Sequence, residues 1–270
     1  MENFVLSHLE PGNVFRFFEE LSRIPRESGH TDAVSAWVED FARARGLRCR
    51  RDELGNVVIW KDASPGYEGH PAVILQGHTD MVCVQSPGTD HDFEKDPLTL
   101  VLDGDWLRAE NTTLGGDDGA AVAMMLALLD DDAIPHPPIE AVFTADEEIG
   151  LLGAAGLDCS DLQGRTLINL DSEDEGVLTV GCAGGARCDL ALSLPLRPAS
   201  GKLCTLELTG LPGGHSGAEI HKNIPNANRV LAQCLQTLPD ARLVSLYGGE
   251  QDNAIPDRAR AVFALPEDQT

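Results

Sequence analysis

The sequence predicts an α/β chain in two parts: a mixed central sheet flanked by helices over residues 1–184, then a smaller, incomplete ferredoxin-like α+β unit over 185–270. Three observations lead there. In the first part, amphipathic helical stretches alternate with short apolar runs, the pattern of a sheet covered by helices. Three of those runs, 72–75, 139–144 and 166–170, each end in a histidine or a carboxylate. Beyond about residue 185 the pattern becomes period-two alternation around one helix, which suits an antiparallel sheet.

Taken in order, Val14, Phe15, Phe17, Phe18 and Leu21 recur at helical spacing, and Pro25 stops the run. Residues 31–45 form a second amphipathic helix, with Val34, Trp37, Val38 and Phe41 on one face and Gly46 closing it. These aromatic side chains are read as core. Residues 47–51 and 56–60 are strands paired across 52–55. The run 72–75 delivers Gln76-Gly77-His78-Thr79-Asp80. Residues 86–97, rich in Pro, Gly and Asp, form a long loop, and His91-Asp92-Phe93 within it is read as loop and not as a metal site. Trp106 and Leu107 mark a short strand. Leu114-Gly115-Gly116-Asp117-Asp118-Gly119 opens an apolar helix over 120–129. Asp130, Asp131 and Asp132 end that helix with the sign its C-terminus disfavours, so they are expected only to be hydrated. The run 139–144 delivers Ala145-Asp146-Glu147-Glu148-Ile149-Gly150, and a short helix over 150–157 leads on to the run 166–170 and Asp171-Ser172-Glu173. Residues 177–180 are expected to pair near that strand. In the second part 188–194, 203–208, 242–247 and 259–265 read as strands and 226–238 as an amphipathic helix, giving a β-α-β-β core.

Composition narrows the function classes. The chain has 270 residues and a formal net charge of −24, from 44 acidic and 20 basic side chains. Nucleic acid and anionic membranes both require a basic face, so neither is expected as a partner. Seven cysteines, an odd number without a CxxC pair, read as reduced thiols. The first residues, Met1-Glu2-Asn3-Phe4, lack a basic stretch followed by an apolar one, and no apolar run is long enough to span a bilayer. A cytoplasmic protein is expected.

The chemistry is concentrated at the ends of the three apolar runs. Acids packed side by side repel, and apolar surroundings raise that cost, so solvent or cations must absorb the charge. The triplet Asp146-Glu147-Glu148 alone is equally readable as a solvated loop. Asp117 and Asp118 are equally readable as an N-cap. Taken together, His78, Asp117, Glu148 and Asp171 mix imidazole with carboxylate, which suits zinc and tolerates manganese or cobalt. Asp80 is placed to orient the His78 ring, and Glu147 to take a proton from a metal-activated water.

His78-Thr79-Asp80, Gly116-Asp117-Asp118-Gly119, Glu147-Glu148, Asp171 and Gly213-Gly214-His215-Ser216-Gly217, in this order and spacing, resemble the signature of the co-catalytic zinc dipeptidase, aminoacylase and carboxypeptidase-G superfamily. Asp171-Ser172-Glu173, Gly181-Cys182-Ala183-Gly184-Gly185 and 213–221 are most similar to its aminoacyl-histidine (Xaa-His) dipeptidase branch. The resemblance implies a zinc-peptidase catalytic domain followed by a lid or dimerisation domain, with two zinc ions per active site. It implies His78 and Asp171 on one ion, Glu148 on the other and Asp117 between them. Glu147 becomes the general base, Asp80 the support of His78, and the Asp117–Asp118 peptide is expected to be cis. His215 is implied to reach a substrate carbonyl or carboxylate, often in a neighbouring subunit, and Asn253, in Asn253-Ala254-Ile255-Pro256, to help bind the substrate's C-terminal end. The implied substrate is a small peptide and the implied assembly a homodimer through the lid. Two alternatives are an aminoacylase acting on N-acyl amino acids and a truncated, non-catalytic relative. The sequence ends at Thr270, before the segment that in the family completes both domains and supplies the last metal-ligand histidine, so a fragment or a truncated relative is expected.

Overall fold

The computed structural model describes residues 5–172, 176–181, 188–215, 219–249 and 254–267. It separates into two compact units, Met1–Gly181 and Cys182–Thr270.

The first unit is built on a five-stranded sheet. Its strands are β1 (Arg48–Arg51), β2 (Val57–Lys61), β3 (Val73–His78), β6 (Ile139–Thr144) and β7 (Thr166–Asn169), in the order β1-β2-β6-β3-β7. β2 runs antiparallel to both of its neighbours, β1 and β6, whereas β3 runs parallel to both β6 and β7. Parallel strands deliver their C-terminal ends to one edge. The register pairs His78 with Thr144 and Gln76 with Asn169, so the chain segments after all three strands emerge together. A separate hairpin joins β4 (Leu100–Asp103) to β5 (Trp106–Ala109).

Three helices cover one face: α1 (Gly12–Leu21), α2 (Asp32–Ala44) and α3 (Gly116–Asp130). Phe17, Leu21, Val34, Val38 and Phe41 pack with Met125, Leu126 and Leu129 against Val57, Ile59, Ala141 and Phe143 in one core. Phe17 and Phe41 meet edge to face, with centroids 5.4 Å apart. The other face is thinner, with Val58, Ile74 and Val142 under Trp60, Leu157 and Leu162. The short α4 (Leu152–Gly156) follows the exit of β6.

The acids at the end of α3 are not merely hydrated. Asp130 accepts from Arg16 at 2.7 Å and from Arg45 at 2.6 Å, and Asp132 pairs with Lys61 at 3.1 Å. The buried Lys61 ammonium also donates to the carbonyls of Leu128, Leu129 and Asp131. A cation placed at the carbonyl end of the helix offsets the charge that the aspartates add there. Replacing it by Lys61→Met should destabilise the first unit by about 2–3 kcal/mol, the range for losing charged hydrogen bonds to buried carbonyls. Chemical denaturation measures this, and a change below about 0.5 kcal/mol would show that water replaces the ammonium.

In the second unit β8 (Lys202–Leu208), β10 (Arg242–Gly248) and β12 (Ala259–Leu265) form an antiparallel sheet in the order β10-β12-β8. The helix α5 (Ala227–Gln236) sits between β8 and β10 in sequence, so the topology is the expected β-α-β-β. Asn226 caps α5 by accepting from the Arg229 amide at 3.2 Å. Ala227 and Leu231 of the helix pack on Ala261, Phe263 and Leu265. The two-residue strands β9 (Gly214–His215) and β11 (Ala254–Ile255) pair antiparallel, setting His215 opposite Ala254.

Two strand expectations fail. Residues 177–180 and 188–194 carry no strand, and Val180 and Leu190 are 100% and 92% exposed. Alternation describes a segment able to lie on a sheet, but a strand forms only where a neighbouring edge supplies its hydrogen bonds. Among the described residues, six cysteines are free and no helix is long and apolar enough to cross a membrane.

Candidate metal centre

The edge where β3, β6 and β7 end carries the acids and the histidine singled out in the sequence. His78, the last residue of β3, is 1% exposed, and its Nε2 lies 3.0 Å from Asp117 Oδ1 and 4.0 Å from Glu147 Oε2. Its other ring nitrogen, Nδ1, faces Asp80, 3.1 Å from the carbonyl oxygen and 3.4 Å from Oδ1. Ligand atoms of His78, Glu147 and Glu148 lie within 4.8 Å of one another, as do those of His78, Asp118 and Asp171. The structure therefore brings His78, Asp80, Asp117, Glu147, Glu148 and Asp171 to one place. His215 lies in the second unit, on β9, and Asn253 lies outside the described residues.

Local geometry explains how each group arrives. Gly77 precedes His78 because a Cβ there would come within 2.7 Å of Asp118 Oδ2, which accepts from the His78 amide at 3.0 Å. Asp117 and Asp118 stand at a kink in the first turn of α3, and the peptide between them is cis, as expected. After β6, the chain turns through Asp146 at φ 56°, a left-handed conformation that Asp tolerates better than most residues. Buried Asn56 fixes this turn: its Oδ1 accepts from the Ala145 amide, while its Nδ2 donates to Asp52 and to the Gly153 carbonyl.

Asp80 organises the rest. It is fully buried and accepts from Ser28 Oγ at 2.7 Å, from the Glu147 amide at 3.0 Å and from the Glu148 amide at 3.3 Å. One carboxylate thus orients the His78 ring and fixes the backbone that presents both glutamates. Burial acts to raise its pKa, yet the hydrogen bonds from His78, Ser28 and Glu147 hold it down at about 2.

The remaining acids are crowded and partly buried, and both effects disfavour their charged forms. Burial raises the carboxyls of Glu147, Glu148 and Asp171 above their ordinary values, and repulsion among the acids of the cluster adds to it. Burial pushes Asp118 up to about 7, against the hydrogen bond from the His78 amide. Burial acts to lower the His78 imidazole, but Asp80 and the neighbouring aspartates hold it at about 9. A dication among these groups reverses the balance, because it favours every deprotonated ligand at once. The donor set fits such an ion. Zinc–ligand bonds of about 2.0–2.2 Å place two ligands of a tetrahedral site about 3.4 Å apart. The 3.0 Å His78–Asp117 separation is close to that edge, and with Nδ1 turned to Asp80 it is Nε2 that faces Asp117.

Sequence reading missed Arg26, Ser28, Asn56 and the separate place of Asp118. Only Asp118 carried a local signal, as the second of two adjacent acids opening a helix.

The relatives are consistent with this geometry. Over 98% of its length the chain is 40% identical to the cytosol non-specific dipeptidase of Escherichia coli, covering 56% of that protein. The chain is homologous to this dipeptidase. It also matches the crystal structure of aminoacylhistidine dipeptidase from Vibrio alginolyticus at 42% identity and a TM-score of 0.70, over 97% of this chain and 54% of that one. Residues 205–270 match the family described as a peptidase dimerisation domain. A tripeptidase from Staphylococcus aureus, 19% identical with a TM-score of 0.52 over 95% of this chain and 67% of its own, shares the fold. The mixed α/β architecture expected from the sequence is the one these proteins have. The chain spans about half the length of the dipeptidases it matches.

Proposed function

We propose that the chain carries the metal site of a zinc-dependent dipeptidase that hydrolyses short peptides, with Xaa-His dipeptides among its substrates. The observation that carries this reading is the convergence of His78, Asp117, Glu147, Glu148 and Asp171 at one sheet edge, in a chain 40% identical to a dipeptidase. His78 and Asp171 would hold one ion and Glu148 the other, with Asp117 shared between them. Zinc, when bound, supplies a Lewis acid that polarises the scissile carbonyl and lowers the pKa of water to about 7; manganese or cobalt would serve the same role.

The chain's own residues do the rest. Glu147, 27% exposed and raised by burial, takes the proton from the attacking water and returns it to the leaving amine. Asp80 keeps the His78 ring in the tautomer that leaves Nε2 free. His215 would donate to the developing oxyanion, and Asn253 would hold the substrate's terminal carboxylate. Residues 1–184 would form the catalytic domain and 185–270 the lid, through which two copies pair in the cytoplasm.

The test is a substrate panel assayed with added zinc. Dipeptides with a free α-amino group, including Xaa-His, are expected to be cleaved, while N-acetyl amino acids are left intact. Cleavage of the N-acyl compounds alone would make the site an acylase. Zinc binding without hydrolysis of either class would make the chain a non-catalytic relative.

A further inference from the structure

Arg26 has no place in the chemistry above, yet it is one of the largest fully buried side chains of the molecule, 2% exposed. Its guanidinium reaches two of the chain segments that deliver the metal-site ligands. Nη1 donates to the carbonyls of Thr79 at 3.1 Å and Asp80 at 3.2 Å, and Nη2 donates to the Gly115 carbonyl at 2.5 Å. Thr79 and Asp80 directly follow His78, and Gly115 stands two residues before Asp117. The surroundings are cut to fit. A Cβ on Gly115 would lie 2.2 Å from Nη2, and one on Gly119 would lie 2.8 Å away. The chain segment that carries Arg26 makes further ties. The Arg26 carbonyl accepts from the Met81 amide, Ser28 donates to Asp80, and the Gly29 amide donates to Asp146 just before Glu147.

Burying a guanidinium against carbonyls alone is costly, and its Nε is left without a partner. Burial pushes its pKa down to about 10, while the charges of Asp80, Asp118 and Asp117 support it. We infer that Arg26 is a positioning residue for the metal centre: its fork sets the separation between the His78 segment and the Asp117 segment, and with it the spacing of the ligand pair. This rests on the metal-site reading above.

Charge and geometry make opposite predictions. A buried cation near a dication site weakens metal binding, so removing it should tighten binding if charge alone matters. If the fork sets ligand spacing, removing it should weaken binding, by the 10–100-fold typical of residues that orient metal ligands. Zinc affinity is measured by calorimetric titration against a competing chelator, on the folded 270-residue chain. Arg26→Met is expected to bind zinc about 10–100-fold more weakly than wild type. Lys61→Met is the control, because Lys61 pairs with Ile139 at the opposite end of β6 and its loss destabilises the fold away from the site. It should keep wild-type affinity. Arg26→Lys retains the charge but not the planar fork, so it should also lose about tenfold, and it serves if the Met variant does not fold. Wild-type or tighter binding in the Arg26 variants, or an equal loss in Lys61→Met, overturns the inference while leaving the metal centre intact. Failure of wild type to bind zinc overturns both.

Discussion

The Glu147→Gln variant is expected to lose dipeptide hydrolysis by about 10²–10⁴-fold, the contribution of a positioned general base, while binding zinc as wild type does. The side chains are nearly isosteric and differ in the ability to accept a proton. The Glu147 carboxylate is 4.0 Å from His78 Nε2, within the cluster it forms with His78 and Glu148 and partly open to solvent, and its backbone is held by Asp80. Glu148, its neighbour in sequence, lies in the same cluster, and the proposed function assigns it the ligand role instead. Glu148→Gln should lower zinc affinity, because a neutral amide is a poor ligand where a carboxylate is required. The two variants separate base from ligand when turnover and zinc stoichiometry are measured on the same samples. If Glu147→Gln loses zinc as well, Glu147 is itself a ligand; if it turns over normally, the base lies elsewhere.

Much of this site is visible in the chain before it folds, for a physical reason. Strand periodicity is local, and a parallel sheet converts the residue after each strand into a point on one edge. Hence His78, Glu147, Glu148 and Asp171 can be brought together on paper from three short apolar runs. What is hidden depends on distant partners. Asp130 looks unfavourable at the end of α3 until Arg16 and Arg45 reach it from 114 and 85 residues away. Arg26 looks like an ordinary charged residue after Pro25, and its role exists only once Thr79, Asp80 and Gly115 turn their carbonyls toward one point. Adjacent Asp117 and Asp118 are chemically alike in the sequence. The kink in α3 separates them, exposing one beside His78 Nε2 and burying the other under Gly77. The alternating 188–194 segment misleads in the opposite direction, since its pattern is real but among the described residues no strand pairs with it.

Zinc should raise the thermal stability of the Met1–Gly181 unit and leave the Cys182–Thr270 unit unchanged. The acids at the sheet edge are brought together only by folding. Apart from the adjacent pairs Asp117-Asp118 and Glu147-Glu148, they are tens of residues apart in the unfolded chain and the repulsion between the segments falls away, so the ion-free folded state carries a cost that the unfolded state does not. A dication binding only the folded site removes that cost. At about 1,000 times its dissociation constant it stabilises by about 4 kcal/mol. For a domain of this size each kcal/mol moves the midpoint by about 2–4 °C, so the expected rise is about 8–16 °C. Chelator should reverse it, and His78→Ala should abolish most of it by removing the nitrogen donor common to both ligand groups. Calorimetric scans with and without zinc resolve the outcome. A rise of equal size in His78→Ala, or a rise confined to the second unit, would place the ion elsewhere. No rise at all would mean that the acids are balanced by protons and solvent, and that the sheet edge is not a metal centre.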